Sequence, residues 1–323
     1  MRISVIIPVL NEEDNIDILV GELNRFFLQK NDYSAEVLFV NDGSTDETVK
    51  KLKSAEHFSY VARIISLSKN FGSHAALRAG IERATGEYIT FMYADLQDPL
   101  ELLDSMLNKI KDSRSDICWA HRNSTDTSRT EKLFSKGYAY MMQRYAVSNF
   151  PKNGFDIVMF SRKVQDCLNN NIESNSSIFI QVLSLGFKQS AVTYYKKARS
   201  VGKSKWTVSK KIKLFIDSFV AFSFAPIRLV SLVGIIFFIL GLIWTAYIVI
   251  RTLLFNDLAS GWPALMSVLM LGFGITNISL GIIAEYLWRT LDASRKRPVF
   301  VIEEATDINI LSKSRSAEEL HTL

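Results

Sequence analysis

Short apolar runs and amphipathic stretches alternate along the first 120 residues of the chain. Buried strands are predicted over Ile3–Val9, Glu36–Val40, Ala62–Leu67, Tyr88–Met92 and Asp116–Ala120. Between them, apolar residues recur at helical spacing in residues 16–27, in residues 73–84 and from about residue 100. Strands that alternate with helices predict an α/β fold, in which a mostly parallel, Rossmann-like sheet carries helices on both faces.

The C-terminal third has a different pattern. Residues 229–250 and 263–284 contain no charged side chain, and about 20 apolar residues suffice for one helix to cross a bilayer. Two such spans would form a transmembrane hairpin, and the basic residues on both flanks predict that its ends face the cytoplasm. Two buried core helices are the alternative, but adjacent uncharged stretches of this length are unusual in soluble folds. Residues 205–226 mix lysines with large apolar residues, which predicts amphipathic helices on the membrane surface.

Composition narrows the class of partner. The chain has 38 Lys and Arg against 33 Asp and Glu, a formal charge of +5. This mild excess suits a membrane surface or an anionic substrate, and we expect no nucleic-acid partner. The two cysteines, Cys118 and Cys167, lack metal-ligand spacing and are expected to be reduced in a cytosolic compartment. Neither a G-x-G-x-x-G fingerprint after the first strand nor a P-loop is present, so a dinucleotide or P-loop enzyme is disfavoured.

Polar residues collect where the predicted strands end. These strand ends carry Asn11-Glu12, Asn41-Asp42-Gly43-Ser44, Asn70, Asp95 with Gln97, and Arg122. In parallel sheets, ligands bind beyond the carboxyl ends of the strands. Each group also has a plain structural explanation, as a turn, a helix entry or a solvated surface charge. Their coincidence at one edge favours a Mg²⁺ ion with an anionic ligand, because Mg²⁺ takes one or two carboxylates and lets phosphates complete its shell.

Seven stretches in order resemble the polyprenyl-phosphate glycosyltransferases, membrane-anchored members of glycosyltransferase family 2 that include the bactoprenol glucosyltransferases. They read VIIPVLNEEDNI, VNDGSTDET, NFGSHAALRAGIERATGEY, ADLQDP, RSVGKSKW, FSFAPIRL and GIIAEYLWRTL with RPVF. The resemblance covers roughly residues 2–302. It implies a GT-A type fold, in which residues 1–120 bind the nucleotide sugar and residues 121–204 form the acceptor side. Residues 227–289 would then hold the two spans, and residues 290–323 a cytoplasmic tail with an added strand.

The resemblance also assigns roles to individual residues. Nucleotide-sugar contacts are implied for Pro8, Asn11, Glu12, Asp42 and Asp95. The resemblance does not supply Tyr93, whose phenol is a separate candidate for a hydrogen bond to the nucleotide. Asp95 and Gln97 match the positions that hold one divalent cation, Mg²⁺ or Mn²⁺, on the diphosphate. Asp156, six residues before Arg162, matches an acid of the catalytic centre and joins Asp95 as a catalytic residue. Arg122, Arg199 and Lys205 match positions near the acceptor phosphate.

The implied activity is transfer of a hexose, with inversion, from a nucleotide sugar, UDP-linked in this expectation, to undecaprenyl phosphate. The product would be a polyprenyl-phosphate sugar for modification of cell-surface polysaccharide. The protein is accordingly expected in the bacterial inner membrane as a multi-pass protein with a cytoplasmic catalytic domain. The resemblance further implies a homo-oligomer such as a tetramer.

The chain departs from the family pattern at three places. Tyr93 stands where the family usually has Asp, an arginine expected near Ser176 is missing, and Val158 stands where relatives tend to have arginine. A neutral phenol cannot replace an anionic metal ligand, so metal affinity is expected to fall. These departures leave a catalytically degenerate membrane scaffold as one alternative. A processive polysaccharide synthase is another, although the usual Q-x-x-R-W motif is absent and only two spans are predicted.

Overall fold

The computed structural model describes residues 1–55, 58–122, 137, 139–144, 150–151, 157–171, 177–196, 225–255, 261–295 and 297–308. Contacts group residues 1–218 and 298–323 into one compact unit and residues 219–297 into another. The first unit contains all the described strands. They are β1 (Arg2–Val9), β2 (Ser34–Asn41), β3 (Val61–Leu67), β4 (Tyr88–Phe91), β5 (Ile117–Arg122), β6 (Ile157–Ser161), β7 (Gln189–Tyr194) and β8 (Ile302–Asp307).

The described strands form one mixed sheet in the order β7-β5-β6-β4-β1-β2-β3-β8. Strands β1 to β4 are parallel to their neighbours within that group, and β5 is parallel to β7. β6 runs antiparallel to both β4 and β5, and β8 runs antiparallel to β3. The predicted mostly parallel sheet is thus confirmed, with one reversed strand inside it and another at its edge.

Helices lie between most of the successive strands of this unit. Their bounds are α1 (Glu13–Leu28), α2 (Thr48–Ser54), α3 (Ser73–Arg83), α4 (Leu102–Ser113), α5 (Arg162–Asn170) and α6 (Ile178–Ser184). The sequence pattern predicts α1, α3 and α4. It gave no assignment for α2, which has only seven residues and buries just Thr48 and Leu52.

Burial explains why these segments adopt these elements. In α1, the buried residues are Ile16, Leu19, Val20, Leu23 and Phe27, which share one helical face against the sheet. The central strand β1 is buried from Ile3 to Ile7, as expected for a parallel strand with helices on both faces. Apolar burial on both faces therefore fixes the sheet, and its strand ends are left for polar residues.

The second unit contains two long helices, α7 (Ala225–Phe255) and α8 (Trp262–Arg295). Their described apolar side chains are largely exposed, as at Ile235, Trp244 and Phe273. Among the side chains described, Leu271–Asp292 is the one stretch long and apolar enough to cross a membrane, and none of it is buried. It begins eight residues after the span predicted at residue 263, and α7 offers only the shorter apolar stretch Leu232–Gly241. A two-span hairpin therefore stays a prediction, and the amphipathic helices predicted at 205–226 lie almost wholly outside the described residues.

Candidate active site

The loops that follow β1 and β2 hold each other through hydrogen bonds. The Asn11 N–H donates to Ser44 Oγ at 3.0 Å, and Asn11 Oδ1 accepts from the Thr45 N–H at 2.8 Å. The Glu12 N–H donates to Thr48 Oγ1 at 2.9 Å, next to the start of α2. Asn11 lies in the left-handed region at φ +52°, which Asn tolerates better than most residues. Two of the predicted nucleotide-contacting residues are thus positioned by the neighbouring loop.

Asp42 lies at the carboxyl end of β2 and is 3% exposed. Its Oδ1 accepts the Phe71 N–H at 2.7 Å, and its Oδ2 accepts the Gly72 N–H at 3.0 Å. Burial raises the pKa of the Asp42 carboxyl, and the two backbone N–H groups act in the opposite direction by stabilising the charged form. This acid therefore fastens the loop between β3 and α3, and its Oδ2 has a further lone pair to offer.

Gly43 brings the end of β2 against that same loop. Its φ is +74°, and a Cβ added there would lie 2.7 Å from both Asn70 N and the carbonyl carbon of Lys69. Any other residue at this position would be strained and would also push the loop away. The glycine in the Asp-Gly-Ser motif is thus required by a close approach of two backbones.

The loop after β4 carries the residues expected to hold the metal. Asp95 and Gln97 are half-buried, and Asp95 Oδ1 accepts the Gln97 N–H at 3.4 Å. Leu96, between them, has φ +51°, so this loop makes a tight left-handed turn. Tyr93 is half-buried two residues before Asp95. The register β1–β4 sets this loop beside the end of β1, because Ile6 pairs with Phe91 and the Met92 N–H donates to Ile6 O at 3.0 Å.

Arg122 is exposed at the end of β5, at the same edge of the sheet. Pro8, near the end of β1, is half-buried and pairs with Val40. Three predicted residues, Asp156, Arg199 and Lys205, lie outside the described residues. Ile157, which follows Asp156, pairs with Ala120 near the end of β5. The predicted residues that are described therefore gather at the carboxyl edge of the parallel strands.

Arg162 is at the other edge. It follows β6, which runs antiparallel, and its guanidinium donates to Ala84 O and to Gln165 Oε1, both at 2.8 Å. The arginine that helps to identify the motif around Asp156 therefore has a structural role here. The backbone donors of Phe71 and Gly72 were not predicted, because no local pattern marks them. Asp98 stands in the ADLQDP stretch, but no local pattern shows that it is buried.

The donor set at Asp95 suits a hard divalent cation that shares its shell with phosphate oxygens. Within the described ranges, no group of three or more His, Cys, Asp or Glu side chains could hold a metal by itself. A cation at this edge would rely on one carboxylate, the Gln97 amide oxygen and ligand oxygens, as Mg²⁺ commonly does.

Family models match both parts of the chain. Residues 4–168 match the model described as glycosyl transferase family 2, and residues 225–289 match the model described as GtrB C-terminal hairpin. The first match alone spans more than half of the chain.

Full-length relatives agree with these matches. An uncharacterized glycosyltransferase YkcC of Bacillus subtilis is 33% identical over 95% of this chain and 95% of its own length. The prophage bactoprenol glucosyl transferase homolog of Escherichia coli is 30% identical over 94% of this chain and 99% of its own. Among solved structures, a mannosyltransferase from Pyrobaculum calidifontis is 18% identical to this chain and superposes with a TM-score of 0.45. The match covers 64% of this chain and 58% of the mannosyltransferase. A superposition that loose says nothing about the chemistry of the site.

Proposed function

The chain belongs to glycosyltransferase family 2, and from that premise we propose that it transfers a hexose from a UDP-linked nucleotide sugar to undecaprenyl phosphate. The observation that carries the proposal is the gathering of Asn11, Asp42, Asp95 and Arg122 at one sheet edge, in a chain similar over nearly its whole length to a bactoprenol glucosyl transferase homolog. The product would be a polyprenyl-phosphate sugar.

The nucleotide would lie over the ends of β1 and β2. A carboxylate only accepts hydrogen bonds, so Asp42 suits the N–H of a uracil base or a ribose hydroxyl. Asn11 and Glu12 border the same position, and their backbone is held by Ser44 and Thr48. The interlocked loops would therefore present a rigid surface to the nucleotide, which reduces the ordering that binding requires.

Asp95 and Gln97 would hold a Mg²⁺ or Mn²⁺ ion on the diphosphate. When bound there, the ion would offset the charge that develops on the departing phosphate oxygens. Tyr93 supplies no anion beside it, so the chain would depend on Asp95 more than a relative with two acids does.

The acceptor is an anionic phosphate, so it needs positioning more than it needs a strong base. Arg122, together with Arg199 and Lys205, would hold the phosphate, because guanidinium groups bind phosphate oxygens in a bidentate manner. One acceptor oxygen would then form a bond to the sugar C1 as the C1 bond to the diphosphate oxygen breaks. Both electrons of the broken bond leave with UDP, and a single displacement of this kind inverts the configuration at C1.

The lipid tail of the acceptor requires a site beside a bilayer. The exposed apolar side chains of α7 and α8, with the match to a GtrB C-terminal hairpin, support a membrane anchor of two spans. The catalytic unit would face the cytoplasm of a bacterium at the inner membrane, where nucleotide sugars are made.

The test is transfer of radiolabel into lipid. Purified full-length protein in lipid nanodiscs is incubated with undecaprenyl phosphate, Mn²⁺ and one of UDP-glucose, UDP-galactose, UDP-N-acetylglucosamine or GDP-mannose. We expect a chloroform-soluble, acid-labile product from at least one UDP-sugar, and we expect Asp95→Ala to lower its formation by at least about 1,000-fold. Absence of product from every donor would instead favour a degenerate scaffold, and undiminished transfer by Asp95→Ala would remove the metal assignment.

Tyr93 offers a second, gain-of-affinity test. Tyr93→Asp restores a second carboxylate near Asp95, so we expect tighter Mn²⁺ binding in the presence of UDP, measured by calorimetry. Tyr93→Phe is the control, since it removes the hydroxyl without adding charge. An affinity that is equal or weaker in Tyr93→Asp would show that Tyr93 does not face the cation.

A further inference from the structure

A buried acid lies immediately after the predicted metal ligands. Asp98 is 2% exposed, and it follows Gln97 in the loop between β4 and α4. The Tyr194 hydroxyl donates to Asp98 Oδ1 at 2.5 Å, and Lys196 Nζ lies 3.5 Å from the same oxygen. Tyr194 is itself 6% exposed. A carboxylate at this depth persists only when it is hydrogen-bonded and paired with a charge, and Tyr194 and Lys196 supply both.

The two ends of this contact belong to different parts of the proposed reaction. Asp98 is in the same loop as Asp95, whose carboxylate accepts the Gln97 N–H. Tyr194 is in β7, and the parallel register of β5 and β7 pairs it with Arg122. Lys196 comes three residues before Arg199 in the chain. The contact therefore joins the loop that carries Asp95 and Gln97 to the strand pair β5 and β7, which carries Arg122.

We propose that Asp98, Tyr194 and Lys196 form a brace that sets the cation-binding loop at the correct distance from Arg122, and so aligns the leaving diphosphate with the attacking phosphate. The inference rests on the proposed function. Asp98 is a positioning residue in this account, because it acts through the loop that carries Asp95. Alignment of two reactants contributes strongly to the rate, and a misplacement of about 1 Å can cost roughly 100-fold.

The chain provides a matched control at the other edge of the sheet. There the Tyr33 hydroxyl donates to Asp104 Oδ1 at 2.8 Å, and Lys30 Nζ lies 2.6 Å from Asp104 Oδ2. The chemistry of this second Tyr–Asp–Lys group is the same, and it ties the end of α1 to α4. Tyr33→Phe therefore removes the same kind of hydrogen bond, but from a tyrosine that precedes the amino end of β2.

The experiment compares Tyr194→Phe with Tyr33→Phe in full-length protein in nanodiscs, using undecaprenyl phosphate and the UDP-sugar that the wild type turns over. We expect Tyr194→Phe to lower kcat by about 10- to 100-fold, to leave KM for the UDP-sugar within about threefold, and to leave Mn²⁺-dependent UDP binding unchanged. Tyr33→Phe should keep its kcat even though both variants melt at a lower temperature. An Asp98→Ala, Tyr194→Phe double variant should lose little more kcat than Asp98→Ala alone, because Asp98→Ala already removes the acceptor of the Tyr194 hydroxyl.

Three results would overturn the brace. They are an unchanged kcat in Tyr194→Phe, an equal fall of kcat in both tyrosine variants, or a loss of UDP binding in Tyr194→Phe. If the wild type transfers no sugar from any donor, the proposed function fails, and the brace is then judged by binding. In that case Tyr194→Phe must weaken the binding of undecaprenyl phosphate to protein loaded with Mn²⁺ and UDP, whereas Tyr33→Phe must leave it unchanged.

Discussion

Two buried acids on the same strand, β2, have different surroundings. Glu36, near the amino end, is fully buried and accepts hydrogen bonds from the Ser4 hydroxyl, from the Thr85 N–H and hydroxyl, and from the Gly86 N–H at 3.1 Å. Arg63 adds a positive charge 3.6 Å from Glu36 Oε2. Within the described residues, Asp42, at the carboxyl end, accepts hydrogen bonds from the N–H groups of Phe71 and Gly72.

The contrast separates an acid that joins several strands from an acid whose hydrogen-bond donors come from a single loop. The partners of Glu36 come from β1, β3 and the turn before β4, so its carboxylate joins the amino ends of several strands. A Cβ at Gly86 would come within 2.6 Å of the Ser4 hydroxyl, which shows how tightly that end is closed. The hydrogen-bond donors to Asp42 come from one loop. Of its neighbours, Ser44 is half-buried and Asn11 is exposed. Burial of an acid is therefore a poor guide to its role unless its donors are counted.

The largest effect on stability is expected for Glu36→Ala. Removal of the carboxylate takes the acceptor from the Ser4 hydroxyl and from both donors of Thr85. It also removes a buried charge beside Arg63, so we expect a loss of about 3–5 kcal/mol in the free energy of unfolding. The melting temperature of the full-length protein, followed by thermal shift in detergent, should fall by roughly 6–20 °C. The KM for the UDP-sugar in the folded fraction should not change, and a changed KM with an unchanged melting temperature would reverse the assignment.

Asp42→Asn should give the opposite pattern. The amide keeps one oxygen for the loop but loses the charge, so we expect KM for the UDP-sugar to rise about 10- to 100-fold with a much smaller fall in melting temperature. Asp46→Asn is the matched control, because Asp46 also accepts backbone N–H groups, from Glu13 and Thr48, one turn further along the same loop. A comparable rise in KM for both variants would mean that Asp42 acts only through the shape of the loop.

A smaller effect should come from His74, in the first turn of α3 beside the loop that Asp42 holds. Its Nδ1 is buried with no hydrogen-bond partner among the described residues, and burial lowers its pKa from 6.5 to about 4. Below pH 6.5, His74 binds a proton in the unfolded chain but stays neutral in the folded chain down to about pH 4. The free energy of unfolding therefore decreases as pH falls from about 6.5 towards 4.

Between pH 7 and pH 5 we therefore expect the folded protein to lose about 1–2 kcal/mol through His74. His74→Gln should flatten this part of the pH profile of melting temperature, because glutamine does not titrate. Burial raises the pKa of Asp42, which acts in the opposite direction, since stability falls as pH rises through that raised pKa. An unchanged profile in His74→Gln would show that His74 is accessible to protons in the folded state.

The sequence predicted much of the nucleotide half because its signals are local. Alternating strand and helix patterns marked β1 to β5 within a few residues, and the Asp42 and Asp95 segments were correctly located at strand ends. The resemblance to family 2 glycosyltransferases was confirmed by the match at residues 4–168.

The remainder depends on contacts between distant residues. β6 lies between β4 and β5 because Thr90 pairs with Met159, and no local pattern carries that information. Glu36 interrupts an apolar strand, and its burial is explained only by Ser4, Arg63 and Thr85, which are remote in sequence. Nothing near Asp98 in the sequence indicates its contact with Tyr194, which lies 96 residues later in the chain. The surroundings of Glu36 and Asp98 therefore depend on long-range pairing, which local sequence patterns do not carry.

The most direct test of the central claim is a structure of the full-length protein with Mn²⁺ and UDP, in which the metal is located by its anomalous signal. We predict a manganese peak in direct coordination with the Asp95 carboxylate and the diphosphate, with the uridine beside Asp42 at the carboxyl edge of the sheet. A diphosphate bound elsewhere, with Asp95 turned away and no metal between them, would contradict the account.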